Sequence, residues 1–462
     1  MASVKKISIT SGKSKHSVVA LRQSFQIKSE LEQYNFKARI CLGLADEDYE
    51  EHIPEELYPR RFGINLNLDA CISRNFVDYI NTRQIGNQKL QNSRVAREYG
   101  TQHLVTHNLM IEKSFPLGEL NKVFCSQWLN DQQVAFGTKC NKFVVQDVAS
   151  GRRFQIPSLK SSAHSKPPEN PCGIHAMEIN PSQTMLVTGA KNSNDVAVYR
   201  LPTLDPMCVG EGAHYDWIFD IKWLDDQFFV SGSRDTKLAL WRVKDNEIYQ
   251  NNEENLPKYY MMHPLTIKTC KSADKVRALL FNDHCHELVA LSLNGYLHLW
   301  DVGTFRQKTS RKLGFCQENV CLAQQQERGI YVVGSRAHTL IFDNRTLRLI
   351  KSIPSSQERV SIRSLSFRGD LLTIGTGIGE IHFYDFRASD YLKQMDSNRQ
   401  AFLSASKSWV YPDELIFQEY LMNWEHNTAI YTHCYDTSGT RLFAAGGPLP
   451  ASLQGSYAGI WQ

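Results

Sequence analysis

Long apolar runs are missing from this chain of 462 residues, and no stretch approaches the roughly 18 consecutive apolar residues of a membrane-spanning helix. No apolar segment follows the first lysines either, so we expect no secretory signal and no membrane partner. The charges nearly cancel, with 52 basic and 48 acidic residues. This balance excludes a polycation, and any electrostatic function must depend on where the charges lie.

Paired cysteines are also absent. The 11 cysteines include no Cys-x-x-Cys pair, which zinc ribbons and thioredoxin-like sites require. An odd number of cysteines without a secretory signal favours a reducing compartment, the cytoplasm or the nucleus.

Signatures of catalysis are scarce as well. The Gly-x-Ser-x-Gly nucleophile motif does not occur. Gly375, Gly377 and Gly379 resemble a phosphate loop, but they fall in a predicted turn between strands with no helix behind it. His103 and His107 lack a third metal ligand at useful spacing. We therefore predict a protein that is not an enzyme and has neither a metal site nor a cofactor.

What the sequence does contain is a repeat. Tyr199, Trp241, Trp300, Phe342 and Tyr384 each lie near the end of a segment with alternating apolar residues, and the steps 199–241, 300–342 and 342–384 are each 42 residues. A period of about 40–45 residues with a Trp-Asp-like strand end is typical of a WD-repeat β-propeller blade. The pattern predicts an all-β fold with seven blades.

The pattern divides the chain into three parts. Residues 1–70 combine a Lys/Ser-rich start with an acidic run, which predicts a low-complexity, mostly disordered tail. Residues 71–108 are predicted to be a helical extension. Residues 109–462 form the predicted propeller, in which 109–115 completes the last blade, because the chain ends just after Trp461 and leaves that blade without an outermost strand.

Basic residues gather on one predicted face of the ring. Turns after the second strand of a blade share a face with the starts of the inner strands, and both kinds of position carry cations. Those in the turns are Lys139, Lys191, Arg234 and Arg336, and those at the starts are Lys122, Lys275, Arg277 and Arg363. An arginine there is costly unless an anion pairs with it, and Asp235 is the one obvious local partner. We predict an anion-binding mouth walled by Trp217 and Tyr431; the alternative is scattered structural charge.

The opposite face carries a second signal. Two consecutive blades end their third strands in Phe-Asp-Asn-Arg (342–345) and Tyr-Asp-Phe-Arg (384–387). The aspartate of such a turn braces it, whereas Arg345 and Arg387 are predicted to project away from the basic mouth and to dock a partner.

These paired turns resemble those of the WD-repeat substrate receptors of cullin-four ubiquitin ligases. Several further runs carry the resemblance, which covers residues 117–462: 120–128 (LNKVFCSQW), 137–140 (GTKC), 199–206 (YRLPTLDP), 231–235 (SGSRD), 275–279 (KVRAL) and 431–449 (YTHCYDTSGTRLFAAGGPL). The resemblance implies a non-catalytic substrate-recognition subunit. It further implies that segment 71–108, Arg345 and Arg387 dock the damage-specific DNA-binding adaptor, which links the receptor to the cullin and RING subunits.

The resemblance also implies a ligand: substrate proteins that end in two glutamates, read as a C-terminal degron. Matching the family's pocket to this sequence points to Lys122, Lys139, Arg234, Arg277 and Arg363, with Lys191, Lys275 and Arg336 as additional rim. We expect Arg277 and Arg363 at the floor of the pocket and the other three of the five at its rim. We expect the protein in the cytoplasm and the nucleus, and the resemblance implies the centrosome as a further site.

The alternative function is a propeller scaffold that binds nucleic acid or another polyanion with the same ring. Phosphate binding of that kind has a steep salt dependence and tolerates any polyanion. Degron recognition instead requires a free C-terminus, so we expect no direct nucleic-acid partner. A third, weaker hypothesis is a hydrolase with a propeller fold.

Overall fold

The computed structural model describes residues 99–244, 259–314, 318–355, 360–411 and 427–462. The predicted tail, residues 1–70, and most of the predicted helical segment 71–108 lie outside these ranges. The described end of that segment contains one helix, α1 (Thr101–Thr106). No helix in the described ranges has the length and apolar character needed to cross a bilayer.

The described residues form seven antiparallel sheets arranged as blades, which confirms the predicted seven-bladed propeller. After β1 (Glu112–Ser114), blade 1 contains β2 (Val123–Trp128), β3 (Gln133–Thr138), β4 (Phe143–Asp147) and β5 (Arg153–Ile156). Blade 2 contains β6 (Met177–Ile179), β7 (Met185–Gly189), β8 (Val196–Arg200) and β9 (Asp205–Gly210). Blade 3 contains β10 (Ile218–Trp223), β11 (Phe228–Ser233), β12 (Lys237–Arg242) and, after β13 (Tyr260–Met262), β14 (Thr266–Thr269). Strand β13 pairs in parallel with β9.

The remaining blades follow the same plan. Blade 4 contains β15 (Val276–Asn282), β16 (Glu287–Ser292), β17 (Tyr296–Asp301) and β18 (Arg306–Lys312). Blade 5 contains β19 (Cys321–Gln325), β20 (Ile330–Gly334), β21 (His338–Asp343) and β22 (Leu349–Pro354). Blade 6 contains β23 (Ile362–Arg368), β24 (Leu371–Thr376), β25 (Glu380–Asp385), β26 (Asp390–Tyr391) and β27 (Phe402–Ser404). Blade 7 contains β28 (Trp409–Val410), β29 (Thr428–Tyr435), β30 (Leu442–Pro448) and β31 (Gly455–Trp461).

The first strand closes the ring. Strand β1 pairs antiparallel with residues 459–461 of β31 and is therefore the outermost strand of blade 7. The amide of Phe115 donates to the carbonyl of Ala458 at 2.8 Å, and Phe115 is buried against Ile460 in one core cluster. Pairing of this kind removes an exposed sheet edge and ties the two ends of the propeller together.

The core lies between neighbouring blades. Second and third strands are buried on both faces because each sheet is packed against the next one. All six residues of β11, a second strand, are buried, whereas six of the seven residues of β18, an outermost strand, are exposed. Trp241 is fully buried, and its indole Nε1 donates to Ser231 Oγ at 2.8 Å. Such packing holds the inner strands rigidly around the channel.

Five inner strands carry a β-bulge at the same point. The pairing register shifts at the second residue of β2, β10, β15 and β23 and at the fourth residue of β29. The residues that the register skips are Phe124, Phe219, Arg277, Arg363 and Tyr431. A bulge re-aims a side chain away from the regular alternation of the strand. These five residues therefore occupy equivalent positions around one ring, which we call the bulge ring.

Candidate anion-binding site at the mouth of the propeller

Backbone hydrogen bonds bring together the two kinds of position that the sequence selected. The amide of Lys139, in the turn after β3, donates to the carbonyl of Lys122, just before β2, at 2.8 Å. In blade 3 the amide of Arg234 donates to the carbonyl of Trp217 at 2.9 Å. The second-strand turns and the starts of the inner strands therefore meet at one end of the channel, which we call the mouth.

Arg277 lies in the bulge ring between apolar and charged neighbours. Its guanidinium carbon is 4.7 Å from the centre of the Phe219 ring, a cation–π contact. Burial lowers the pKa of Arg277, while the carboxylate of Asp220 acts in the opposite direction. An arginine nevertheless remains protonated. Within the described residues Arg277 has no ion pair at 4.0 Å or less, so a charged, partly desolvated guanidinium is held in the mouth.

Arg363, at the same position of blade 6, is already paired. Its Nη2 lies 2.6 Å from Glu318 Oε2, and its Nε donates to Ser361 Oγ at 3.0 Å. The side chain of Arg363 is 18% exposed, compared with 38% for Glu318. Our sequence reasoning missed Glu318 as a site residue, although it lies only three residues before the inner strand of blade 5. Arg363 and other basic residues were selected because they lie at the starts of inner strands. The same criterion applied to acidic residues would have selected Glu318.

Lys122 is buried, at 2% exposure, so our expectation of a rim position for it is wrong. The reason is contact with blade 7: its ammonium group donates to the carbonyl of Pro450, and its side chain lies against Gly447. Lys139 is more accessible and donates to the neighbouring carbonyl of Ala451 at 2.8 Å. Burial, and then the charge of Lys139, lower the pKa of Lys122 to about 7.

Arg234 lies against an aromatic wall. Its guanidinium is 4.6 Å from the centre of the Trp217 ring, and its Nε is 3.7 Å from Asp216 Oδ2. The expected local partner, Asp235, is instead buried and lies 3.2 Å from His214 Nδ1. That expectation was wrong because the side chain of Asp235 turns into the blade, where it also accepts from the amide of Lys237 at 2.9 Å.

Aromatic rings complete the bulge ring opposite the arginines. Phe124 stacks on His175 with centres 4.4 Å apart and meets Tyr431 edge-on at 5.5 Å. His175 also lies 6.0 Å from Trp217. Burial, followed by the charges of Arg277 and Lys139, holds the pKa of His175 well below its usual range. His175 is therefore neutral at pH 7, and the predicted apolar walls, Trp217 and Tyr431, are parts of a larger aromatic surface.

The charges of the five predicted pocket residues act on their neighbours in the mouth. The charge of Lys139 acts on Lys122, and that of Arg363 acts on Arg277. Burial raises the pKa of Cys172, but Lys139, Arg277 and Arg234 all oppose this rise, so the thiol lies among the three. We call Lys122, Lys139, Arg234, Arg277 and Arg363 the cationic cluster.

The three predicted rim residues are less closely associated with the cluster. Lys191 and Arg336 are exposed and Lys275 is half-buried, and none has an ion pair within the described ranges. The carbonyl of Lys275 accepts from the amide of Leu293 at 2.8 Å, so it lies at the mouth face of blade 4. Across the same ranges, no three His, Cys, Asp or Glu residues are grouped as a metal ion would require.

On the opposite face, Arg387 contacts the helical segment of its own chain. Its Nη1 lies 3.2 Å from the hydroxyl of Tyr99, and its guanidinium lies 5.2 Å from the centre of that ring. The Nε of Arg387 is 3.8 Å from both Asp370 and Asp385. Arg345, in the corresponding turn of blade 5, is exposed. Arg387 therefore joins the propeller to the residues that begin α1.

The titration of Lys122 leads to a test by pH. A bound anion favours the charged form of this lysine, so with a pKa of about 7 we expect binding to take up at most about half a proton at pH 7. The affinity for an acidic peptide should fall from pH 6 to pH 8, by at most about tenfold, since the lysine loses its proton over that range.

Calorimetry in two buffers of different ionisation enthalpy measures this uptake directly. Lys122→Met should abolish it. Unchanged proton uptake in that variant would assign the titration to another group.

Comparison with known proteins shows the family to which this chain belongs. The family model described as the DDB1- and CUL4-associated factor 12 beta propeller matches residues 106–462. The chain belongs to this family. The match spans all seven blades of the factor 12 propeller and includes the whole cationic cluster. The family's description refers to association with DDB1 and CUL4.

Solved structures support the fold independently. The WD40 repeats of RRP9 match with a TM-score of 0.54 and 14% identity, covering 76% of this chain and 97% of that one. The structure of U3-55K matches with a TM-score of 0.53 and 15% identity, covering 76% of this chain and 98% of that one. At this identity the likeness concerns the propeller architecture alone, which the factor 12 family shares.

Proposed function

We propose that this protein is the non-catalytic substrate-recognition subunit of a cullin-four ubiquitin ligase, and that its cationic cluster binds proteins ending in two glutamates. Membership of the factor 12 family supports the receptor role. The observation that carries the ligand assignment is the convergence of five cations at one mouth, two of them arginines on equivalent bulges.

The ligand fits the charge of this site. A terminus ending in two glutamates presents two side-chain carboxylates and the terminal carboxylate, about three negative charges in a small volume. Arginine suits such groups because its planar guanidinium can donate to both oxygens of one carboxylate. The half-buried aromatic surface beside the arginines lowers the local dielectric constant, which strengthens each charge interaction.

A fluorescence-anisotropy titration with three peptides tests the proposal. One ends in Glu-Glu, the second is the same peptide with an amidated C-terminus, and the third ends in Glu-Gln. We expect each change to weaken binding about tenfold, because each removes one carboxylate from a partly buried set of charges. Equal binding of all three would contradict recognition of an acidic C-terminus.

The same titration distinguishes the polyanion alternative. Single-stranded DNA of matched length is titrated at increasing salt. A receptor for acidic C-termini should bind the Glu-Glu peptide more tightly than the DNA, with a shallow salt dependence. Tighter binding to DNA with a steep slope would favour the scaffold function.

Docking to the ligase is proposed for the other end of the channel. Segment 71–108, together with Arg345 and Arg387, would contact the adaptor DDB1 and through it CUL4 and the RING subunit. The anchoring of Tyr99 by Arg387 supports this, because it fixes the segment to the face away from the cationic cluster. A substrate held at the mouth would then leave the adaptor contact free.

The proposed location is the cytoplasm and nucleus, with the centrosome as a further site. The eight cysteines in the described ranges are all free thiols, which agrees with a reducing compartment.

A further inference from the structure

Glu318 forms an ion pair with Arg363 in the mouth of the propeller. Glu318 Oε2 lies 2.6 Å from Arg363 Nη2, a distance typical of a charge-assisted hydrogen bond between a carboxylate and a guanidinium. Ser361 Oγ accepts from Nε of the same guanidinium at 3.0 Å. One carboxylate of the protein itself thus occupies the position that an acidic ligand would need.

The two partners are unequally held. Arg363 is fixed by the bulge of β23 and by Ser361, and 18% of its side chain is exposed. Glu318 begins the chain leading into β19 and is 38% exposed. Displacing a glutamate into water is inexpensive when it is this exposed, because surface ion pairs contribute only about 0.2–1 kcal/mol. The arginine can therefore stay in place while its carboxylate partner is exchanged.

We propose that Glu318 is an internal competitor that marks a carboxylate subsite on Arg363 and limits the affinity of the mouth. A ligand carboxylate takes the place of Glu318 on the guanidinium, and Glu318 turns to solvent. Each binding event then replaces one ion pair with another instead of creating a new one. This inference rests on the proposed function, since it assumes a ligand that brings a carboxylate to Arg363.

Contacts elsewhere in the cluster make Arg363 the special case. Arg277 has no ion pair at 4.0 Å or less within the described ranges, and Asp216 lies 3.7 Å from Arg234, beyond hydrogen-bonding distance. Arg363 is thus the cluster member with a tight carboxylate partner already in place. The effect of removing Glu318 should accordingly depend on Arg363 alone.

The test uses Glu318→Gln in the full chain and the peptide ending in Glu-Glu. The amide keeps a similar shape but loses the charge, so peptide affinity should rise about three- to fivefold, the upper part of the range that an ion pair of about 0.2–1 kcal/mol allows. Asp283→Asn is the matched control, because Asp283 is exposed in the turn after β15, on the face away from the mouth, and its replacement changes the net charge equally. It should alter the affinity less than twofold.

A double-mutant cycle tests whether the gain in peptide affinity from Glu318→Gln depends on Arg363. In the Arg363→Met background, adding Glu318→Gln should raise the affinity no more than the Asp283→Asn control does. A gain of the same size in both backgrounds would overturn the proposal, since it would reflect general charge. An unchanged or weaker affinity of Glu318→Gln would also overturn it, because Glu318 would then position Arg363 and not compete for it.

The proposed function and this inference can fail separately. If the wild-type protein does not distinguish the Glu-Glu peptide from its amidated form, the proposed function fails. If the wild type does distinguish them but Glu318→Gln brings no gain, the competitor model alone is wrong.

Discussion

Replacing Arg277 by methionine should weaken binding of a peptide ending in Glu-Glu by roughly 30- to several thousand-fold, about 2–5 kcal/mol. Methionine keeps much of the length of the side chain and removes the charge, so a ligand carboxylate would be left partly buried and unpaired. Arg277 is the strongest case because it has no ion pair within the described ranges and packs on Phe219. Anisotropy titration of the purified variant measures the loss.

Arg363→Met should cost less than Arg277→Met, because a ligand carboxylate on Arg363 only replaces the ion pair with Glu318. Lys139→Met should cost less again. Lys139 is more accessible, and exposed charges supply attraction over distance more than they fix geometry. Lys268→Met serves as the control, since Lys268 is exposed on β14, the outermost strand of blade 3, away from the mouth. Thermal unfolding should be compared for all variants. Binding of Arg277→Met within twofold of wild type, in a folded protein, would show that the cationic cluster is not the ligand site.

The architecture of this protein could be predicted from its sequence because a propeller repeats one structural unit. A period of 42 residues locates the third strands, and the remaining strands follow from it. The alignment of Arg277 with Arg363, each four residues before an aromatic, was also readable. Its structural cause was not: both residues lie at β-bulges, which hydrophobic alternation does not reveal.

Other features of the site depend on contacts that are distant in the sequence. The burial of Lys122 results from the loop after β30, more than 300 residues away, whose carbonyl at Pro450 accepts from its ammonium group. The pairing of Arg363 with Glu318 joins two neighbouring blades. Composition and spacing place each of these residues at the mouth, but which charges touch there depends on side-chain packing between blades.

The second large effect is expected for adaptor binding, on the face of the propeller that carries Arg387. Arg387→Glu should weaken capture of purified DDB1 about 30-fold, close to 2 kcal/mol, if segment 71–108 docks it. The substitution removes the contacts of Arg387 with Tyr99 and places a third carboxylate beside Asp370 and Asp385. Cation–π and ion-pair losses of about 1 kcal/mol each account for this magnitude.

Arg345→Glu separates two ways in which Arg387 could act. Arg345 is exposed and lies in the corresponding turn of blade 5, so its reversal affects only a direct contact with the adaptor. If both variants lose capture equally, the two arginines contact the adaptor directly. If only Arg387→Glu loses it, while thermal unfolding and peptide binding at the mouth stay unchanged, Arg387 acts by holding the segment that begins α1. Wild-type capture by Arg387→Glu would mean that docking does not depend on this anchor, because a carboxylate at 387 removes the cation–π contact with the Tyr99 ring.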